Sequence, residues 1–264
     1  GKVVREMNVE EIMTREIISV GKNDSLEHIL YLMDKNDVTK VPVVEEDGKL
    51  VGIITDERIA YKLGSLRKKD VTVAHLYASS VMVKRYKSIT PDTPVEEILK
   101  TVGLPGLTML PVIENNRLVG VVTKADLLPL VKGKTKLNKI MTRKVIHVSR
   151  DDRVVHARRL LIDNNIARLP VVSDGEVEGI IAEIDIARAL AKLKKSIARK
   201  HQKHHIEELL VEDAMTSPAV TAYPDTTIEE AAQIMLKNNI GALPVVKEKL
   251  MGIVTRTDLI KTIK

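Results

Sequence analysis

The chain of 264 residues carries 42 Lys and Arg against 36 Asp and Glu, a net charge of +6, with 44% hydrophobic residues and no Cys, Phe or Trp. That hydrophobic content excludes a disordered chain, and the length is enough for one large domain or two smaller ones, each with its own core. Without Cys there is no thiol nucleophile, disulfide or thiolate-bound metal, and without Phe or Trp a surface that stacks nucleic-acid bases lacks its usual means.

No run approaches the roughly 20 apolar residues of a membrane span, and no charged leader precedes a short apolar core. The expectation is a cytoplasmic protein with no membrane partner, as zero Cys also suits a reducing compartment.

From the N-terminus, Ile12-Met13-Thr14 opens a pattern that recurs along the chain. Eleven residues after Met13, Asp24 is read as a helix cap; the apolar run Val41–Val44, a polar turn and the run Leu50–Ile54 then read as a β-hairpin, and Thr55 begins a second helix. The second copy has Val81-Met82-Val83, a cap at Thr93, Leu110-Pro111-Val112 and Gly120. Its first helix is interrupted by Val102-Gly103-Leu104-Pro105-Gly106. The third has Ile140-Met141-Thr142, Asp152, Leu169-Pro170-Val171 and Gly179. The fourth has Ala214-Met215-Thr216, Thr226 with Glu229 as a capping box, an apolar face of Ile228, Ala231, Ala232 and Met235, an αL stop near Asn239, then Leu243-Pro244-Val245 and Gly252. The interval from Met13 to Pro42, Met82 to Pro111, Met141 to Pro170 and Met215 to Pro244 is 29 residues in every case. From each Pro to the following Gly the distance is 10, 9, 9 and 8 residues, the variation falling in the polar hairpin turn. The fold class is therefore α+β, built of four β-α-β-β-α repeats. Units this small bury too little apolar surface alone, so they should pair. The expected organisation is repeat one over 6–66 and repeat two over 72–132 as module A, repeat three over 135–195, a basic connector helix over 187–205, and repeat four over 208–264 completing module B.

The Met-Thr openings, the Pro91-Asp92-Thr93 and Pro224-Asp225-Thr226 segments, the Leu-Pro-Val strands and the Gly252-Ile253-Val254-Thr255-Arg256-Thr257-Asp258 ending together resemble the cystathionine-β-synthase (CBS) domain. The resemblance covers nearly the whole chain as four tandem copies, or two Bateman modules. It is similar to stand-alone archaeal proteins and to energy-sensing kinase subunits. It implies an adenosine-type ligand in the cleft between paired repeats, and a partner protein that reads its binding.

The resemblance carries two roles over by position. Thr255 and Thr123 sit where the family's hydroxyl meets a phosphate, and Asp258 and Asp126 where its carboxylate accepts from a ribose diol. A Thr-x-x-Asp start also caps a helix with no ligand present. The internal comparison favours function in repeats two and four: repeat one keeps Thr55 but has Arg58 in the Asp position, and repeat three keeps Asp185 but has Ala182 in the Thr position. Two residues before the hairpin Pro, repeats one and three carry Lys40 and Arg168 where repeats two and four carry Met109 and Ala242. In adenylate-sensing members a base here reaches phosphate; on its own it is equally an ordinary strand-end residue. Each module would then join an intact Thr/Asp pair to one cation. Adenine would be held by aliphatic clamps at Leu243-Pro244 and Leu110-Pro111 and by backbone after Met215 or Met82, with Thr221 and Ser88 either in the pocket or edge-strand hydroxyls facing solvent, and Tyr223 and Tyr86 either stacking or simply packed.

The segment 187–205 holds seven Lys and Arg and no acid, so it accounts for the whole net charge of +6. It reads as a solvated linker helix or as a surface for nucleic acid or an acidic scaffold. His201 and His205 stand at i, i+4, where a solvated face is the simpler reading than a metal. No nucleophile, base and orienting group converge, so no enzyme is expected, and no cofactor is required. The leading expectation is a sensor of AMP, ADP or ATP. An S-adenosylmethionine or methylthioadenosine sensor and a nucleic-acid or scaffold binder are the alternatives. Homodimerisation stays open.

Overall fold

The computed structural model describes residues 3–65, 75–103, 109–196 and 202–264. Repeat one contains α1 (Leu26–Asn36), the hairpin β1 (Lys40–Val44) and β2 (Leu50–Thr55), and α2 (Asp56–Ser65). Repeat two runs α3 (Ala78–Val81), α4 (Val95–Leu99), β3 (Met109–Glu114), β4 (Arg117–Thr123) and α5 (Lys124–Leu127). Repeat three has α6 (Val154–Asn164), β5 (Arg168–Ser173), β6 (Glu176–Ala182) and the long α7 (Glu183–Ser196). After α8 (Gln202–Glu208), repeat four has α9 (Val211–Ala214), α10 (Ile228–Asn238), β7 (Ala242–Lys247), β8 (Lys249–Thr255) and α11 (Arg256–Ile260).

The first helices differ from the sequence reading by one residue. The caps are Ser25 on α1 and Thr227 on α10, whose hydroxyls accept from His28 and Glu230. Asp24, Thr93, Asp152 and Thr226 instead accept the amide three residues back, from Gly21, Thr90, Ser149 and Tyr223, and so close the turn before the helix. A short polar side chain satisfies either turn or helix amides, so spacing alone does not separate the two roles. The stop near Asn239 is as the sequence implies, and Asp37 and Asn165 end α1 and α6 in the same αL region.

Each hairpin is antiparallel, with a bulge beside its glycine. The expected leading strands are reduced to single parallel bridges, Val20 to Val43, Ile89 to Val112, Val148 to Val171 and Ala222 to Val245. The hairpin proline explains this. Val20 donates to the Pro42 carbonyl and accepts from Val44, but Pro42 has no N–H with which to extend the ladder.

Before reaching its own hairpin, each leading segment crosses to another repeat. Thr14 bridges Val121, Val83 bridges Ile53, Thr142 bridges Ile253 and Thr216 bridges Ile180. Repeats one and two therefore exchange segments, as do three and four. At each crossing a methionine lies over a glycine: a Cβ on Gly120 would be 2.6 Å from Met13 Sδ, on Gly52 2.6 Å from Met82 Sδ, on Gly252 2.7 Å from Met141 Sδ and on Gly179 3.2 Å from Met215 Sδ. This contact accounts for the recurrence of both residue types at fixed spacing.

The helices join the repeats the other way. One core combines repeats one and three, with Ile29, Ile54 and Leu63 meeting Leu161, Leu169 and Ile181. A second combines repeats two and four, with Val95, Leu127 and Leu128 meeting Met235, Leu243 and Leu259. The pairs α2 with α7 and α5 with α11 form the joints. The contacts run one to two, two to four, four to three and three to one, and close a ring.

The Gly179→Ala change places a methyl 2.6 Å from the Thr216 carbonyl oxygen, a backbone atom that cannot swing aside. It should cost about 1–3 kcal/mol in chemical denaturation, whereas Gly21→Ala, with nothing nearer than 3.8 Å, should be near neutral.

Candidate nucleotide site

The hairpin register brings the two motif columns together. Lys40 stands opposite Thr55, Met109 opposite Thr123, Arg168 opposite Ala182 and Ala242 opposite Thr255. Whichever half of the Thr-x-x-Asp pair a repeat retains caps its last helix. In repeat one, Thr55 Oγ1 accepts from the Arg58 amide at 3.0 Å; in repeat three, Asp185 accepts from the Ala182 amide at 2.8 Å. Half a pair is enough for the helix, so the full pairs in repeats two and four exceed what folding needs.

The full pairs are not equivalent. Asp126 Oδ2 accepts from the Thr123 amide at 2.8 Å, and its Oδ1 from Thr14 Oγ1 at 2.7 Å, a side chain lent by repeat one. Asp185 is treated alike by Thr216 of repeat four, at 2.9 Å. Burial raises both carboxyls above the usual aspartate range, and these hydrogen bonds pull back. Asp258 Oδ2 accepts from the Thr255 amide at 2.8 Å and from Thr255 Oγ1 at 3.1 Å, while its Oδ1 takes no hydrogen bond among the described residues. Thr142, the counterpart of Thr14 and Thr216, is bound to Ile253 through backbone alone. Repeat four thus has a carboxylate oxygen open to a diol.

Arg168 reaches this place from repeat three. Its guanidinium donates to the Gly241 carbonyl at 3.3 Å, and the same carbonyl accepts the Arg256 amide, which opens α11, at 3.0 Å. A Cβ on Gly241 would be 2.6 Å from Arg168 Nη2, so a side chain there would push the guanidinium aside. Lys40 is engaged differently: its ammonium pairs with Asp56 of its own repeat at 3.0 Å.

Two further cations, not singled out in the sequence, complete the centre. Lys124 and Arg256 follow Thr123 and Thr255 directly and begin α5 and α11. Burial lowers Lys124, and the charges of Arg168, Lys40 and Arg256 lower it further. Burial and then Arg168 push Arg256 down to about 10. Burial also lowers Arg168, against the pull of Asp56 and Asp185. Arg256 Nε is buried with no hydrogen-bond partner among the described residues. Two cations depressed by their basic neighbours, one of them with a buried donor unfilled, are suited to an anion. The signal available in the sequence was the residue after each Thr, basic only in repeats two and four.

Other expected residues lie elsewhere. The side chains of Leu110 and Leu243 are spent in the core of repeats two and four, with Pro111 and Pro244 buried beside them. The segments after Met82 and Met215 bridge repeats one and three, whereas those after Met13 and Met141 reach the Asp126 and Asp258 hairpins. Ser88 is exposed and Thr221 half-buried, next to the Ala222 bridge. Tyr223 is 68% exposed, and Tyr86 packs against Ile53 and Met109. A small apolar cavity beside Thr123 and Lys124 is lined by Ile98, Val102, Met109 and Val122.

In the basic segment, Arg188 pairs with Asp34 at 3.5 Å and Lys194 is buried, with burial lowering its pKa. The side chains of Lys195, Arg199, Lys200 and Lys203, and His201 with them, lie outside the described residues. Among the described residues no three His, Asp or Glu form a metal-sized group, and no helix is long and apolar enough to cross a membrane.

The CBS domain profile matches residues 9–65, 78–133, 137–192 and 211–264, and the chain belongs to this family. It is similar to protein MJ1404 of Methanocaldococcus jannaschii, 33% identical across 97% of this chain and 61% of that protein, so it spans under two thirds of that relative's length. It is also 27% identical to MJ1225 of the same organism, over 98% of both chains. The crystal structure of MJ1225, a protein described as a candidate archaeal homolog of g-AMPK, superposes with a TM-score of 0.81 at 26% identity, covering 97% of this chain and 99% of that one.

Replacing Thr14 with Val deletes the hydrogen bond to Asp126 Oδ1 and leaves a half-buried carboxylate short of a donor. The loss should be about 0.5–1.5 kcal/mol at neutral pH. Asp126 would rise further, so the penalty should be small where it is protonated and grow as pH rises through its folded-state pKa. Denaturation of both proteins between pH 4 and 8 measures it.

Proposed function

We propose that the protein is a non-catalytic sensor of adenine nucleotides, with its principal site at the start of α11 in module B. The observation that carries this reading is the Gly241 carbonyl, which accepts from both Arg168 of repeat three and the first amide of α11. It sets a guanidinium from one repeat against the Thr255/Asp258 pair of the other. A ribose diol would donate to the open Asp258 oxygen, and the phosphate would lie among Arg168, Arg256 and Lys124. The ligand would touch both repeats of a module and so bias how they sit together, which is the change a partner protein would read. The likeness to MJ1225, described as a candidate archaeal homolog of g-AMPK, supports a regulatory role. The cations favour a nucleotide over other adenosyl ligands, because S-adenosylmethionine and methylthioadenosine bring no phosphate to neutralise them.

In module A the same chemistry is present with one oxygen of Asp126 already taken by Thr14 and Lys40 paired to Asp56. A nucleotide there must displace protein contacts, so module A should bind the weaker of two equivalents.

A thermal-shift panel of AMP, ADP, ATP, adenosine, S-adenosylmethionine and methylthioadenosine tests the ligand class, since any ligand of the folded state must raise the melting temperature. The nucleotides should raise it and adenosine far less; silence from all nucleotides would contradict the reading. In calorimetry Asp258→Asn, which keeps a capping side chain, should weaken AMP at least tenfold, about 1.4 kcal/mol. Arg168→Met should weaken AMP while leaving adenosine unchanged. Equal effects on both ligands would mean that Arg168 does not meet phosphate.

A further inference from the structure

The residue after the Thr column opens the last helix of every repeat, and it reads Asp56, Lys124, Glu183 and Arg256 in chain order. The joints of the ring put repeat one against three and two against four. Like charges therefore meet at both joints, bases where α5 packs on α11 and acids where α2 packs on α7. The basic joint is the anion seat described above. The acidic joint has no such role, yet among the described residues it is the most extensive helix pairing.

Its groups can be followed one by one. Asp56, 8% exposed, is paired to Lys40 of β1 at 3.0 Å. Glu57 of α2 is exposed. Glu183, only 7% exposed, has neither a side-chain hydrogen bond nor an ion pair among the described residues; its amide donates to the Ala167 carbonyl. Of the cations that act on Glu183, Arg158 of α6 weighs more than Lys40, but it is held along α2, donating to the Tyr61 carbonyl at 3.4 Å with its guanidinium 5.7 Å from the Tyr61 ring. On its own helix, the Asp185 carboxylate is turned to the Ala182 amide and Thr216, and Arg188 to Asp34.

We propose that Glu183 is a proton-operated latch between the two modules: protonated, it lets the first turns of α2 and α7 close together, and ionised, it adds a third carboxylate charge to Asp56 and Glu57 and loosens the joint. Burial first, then Glu57 and Asp56, push its carboxyl up to about 7, outweighing Arg158 and Lys40. The folded state then holds a proton that the unfolded chain releases near 4.5. Stability from this group is present at low pH and is lost as pH rises from about 4.5 through about 7. The latch needs no nucleotide, so its test does not depend on the function proposed above.

The ligand-free chain and Glu183→Gln, an uncharged side chain of the same shape, are melted at pH 5.5 to 8.0. The melting temperature of Glu183→Gln minus that of the parent should rise by several degrees across the range and level off above about pH 7. Glu57→Gln removes a like charge, so the parent's decline should level off at lower pH in that background. Amide exchange at pH 8 should be faster in the parent than in Glu183→Gln within α2 and α7, with no difference in α5 and α11. Parallel melting curves for parent and Glu183→Gln, or an exchange difference spread evenly over all four helices, would overturn the latch.

Discussion

The rest of the structure depends on the seat that each glycine of the second hairpin strand gives to a methionine of the neighbouring repeat. Met13 on Gly120 and Met82 on Gly52 make the exchange within one half of the ring; Met141 on Gly252 and Met215 on Gly179 make it within the other. A leading segment can lie against a foreign hairpin only where that strand has no side chain, and thioether sulfur tolerates the close, irregular fit. The exchange also places Thr14 and Thr216 on the carboxylates of Asp126 and Asp185. The same exchange thus fills one carboxylate oxygen in repeats two and three, while Thr142, seated by the same kind of contact, leaves Asp258 Oδ1 without a hydrogen bond among the described residues.

Charge is organised by the same geometry. The columns of Lys40/Arg168 and of the residue after each Thr converge because the hairpin register puts the first opposite the Thr column and the helices bring the second together at the joints. Repulsion between like charges left in a folded structure is relieved when an opposite charge or a proton binds. In the readings proposed here, an anion would do so at the basic joint and a proton at the acidic joint, and each would bias its joint by its differential affinity for the tighter state.

Much of this was legible in the sequence. The invariant 29-residue interval gave the repeat, the hairpins followed from their apolar runs, and the αL stop at Asn239 followed from a short polar residue after an amphipathic helix. The Thr-x-x-Asp columns and the opposing Lys40 and Arg168 were visible because repeats can be compared with one another within one chain. Long-range facts were not visible. Local spacing does not say that a leading segment crosses to another repeat before returning, so Thr14 was not connected to Asp126, and the segments after Met82 and Met215 were assigned to the wrong hairpins. Nor does it say that Leu110 and Leu243 face a core shared between modules. The one-residue error in the caps has a local cause, because Thr226 and Thr227 are chemically alike and the chain uses one for the turn and the other for the helix.

The proposed sensor role stands or falls on where a phosphate sits. A crystal structure of the chain grown with saturating AMP tests it most directly. The account predicts density in module B with the ribose diol on Asp258 and the phosphate between Arg168 and the first turn of α11. A fully occupied nucleotide bound away from both Thr-x-x-Asp helix starts, or a clean unliganded cleft at saturating AMP, would contradict it.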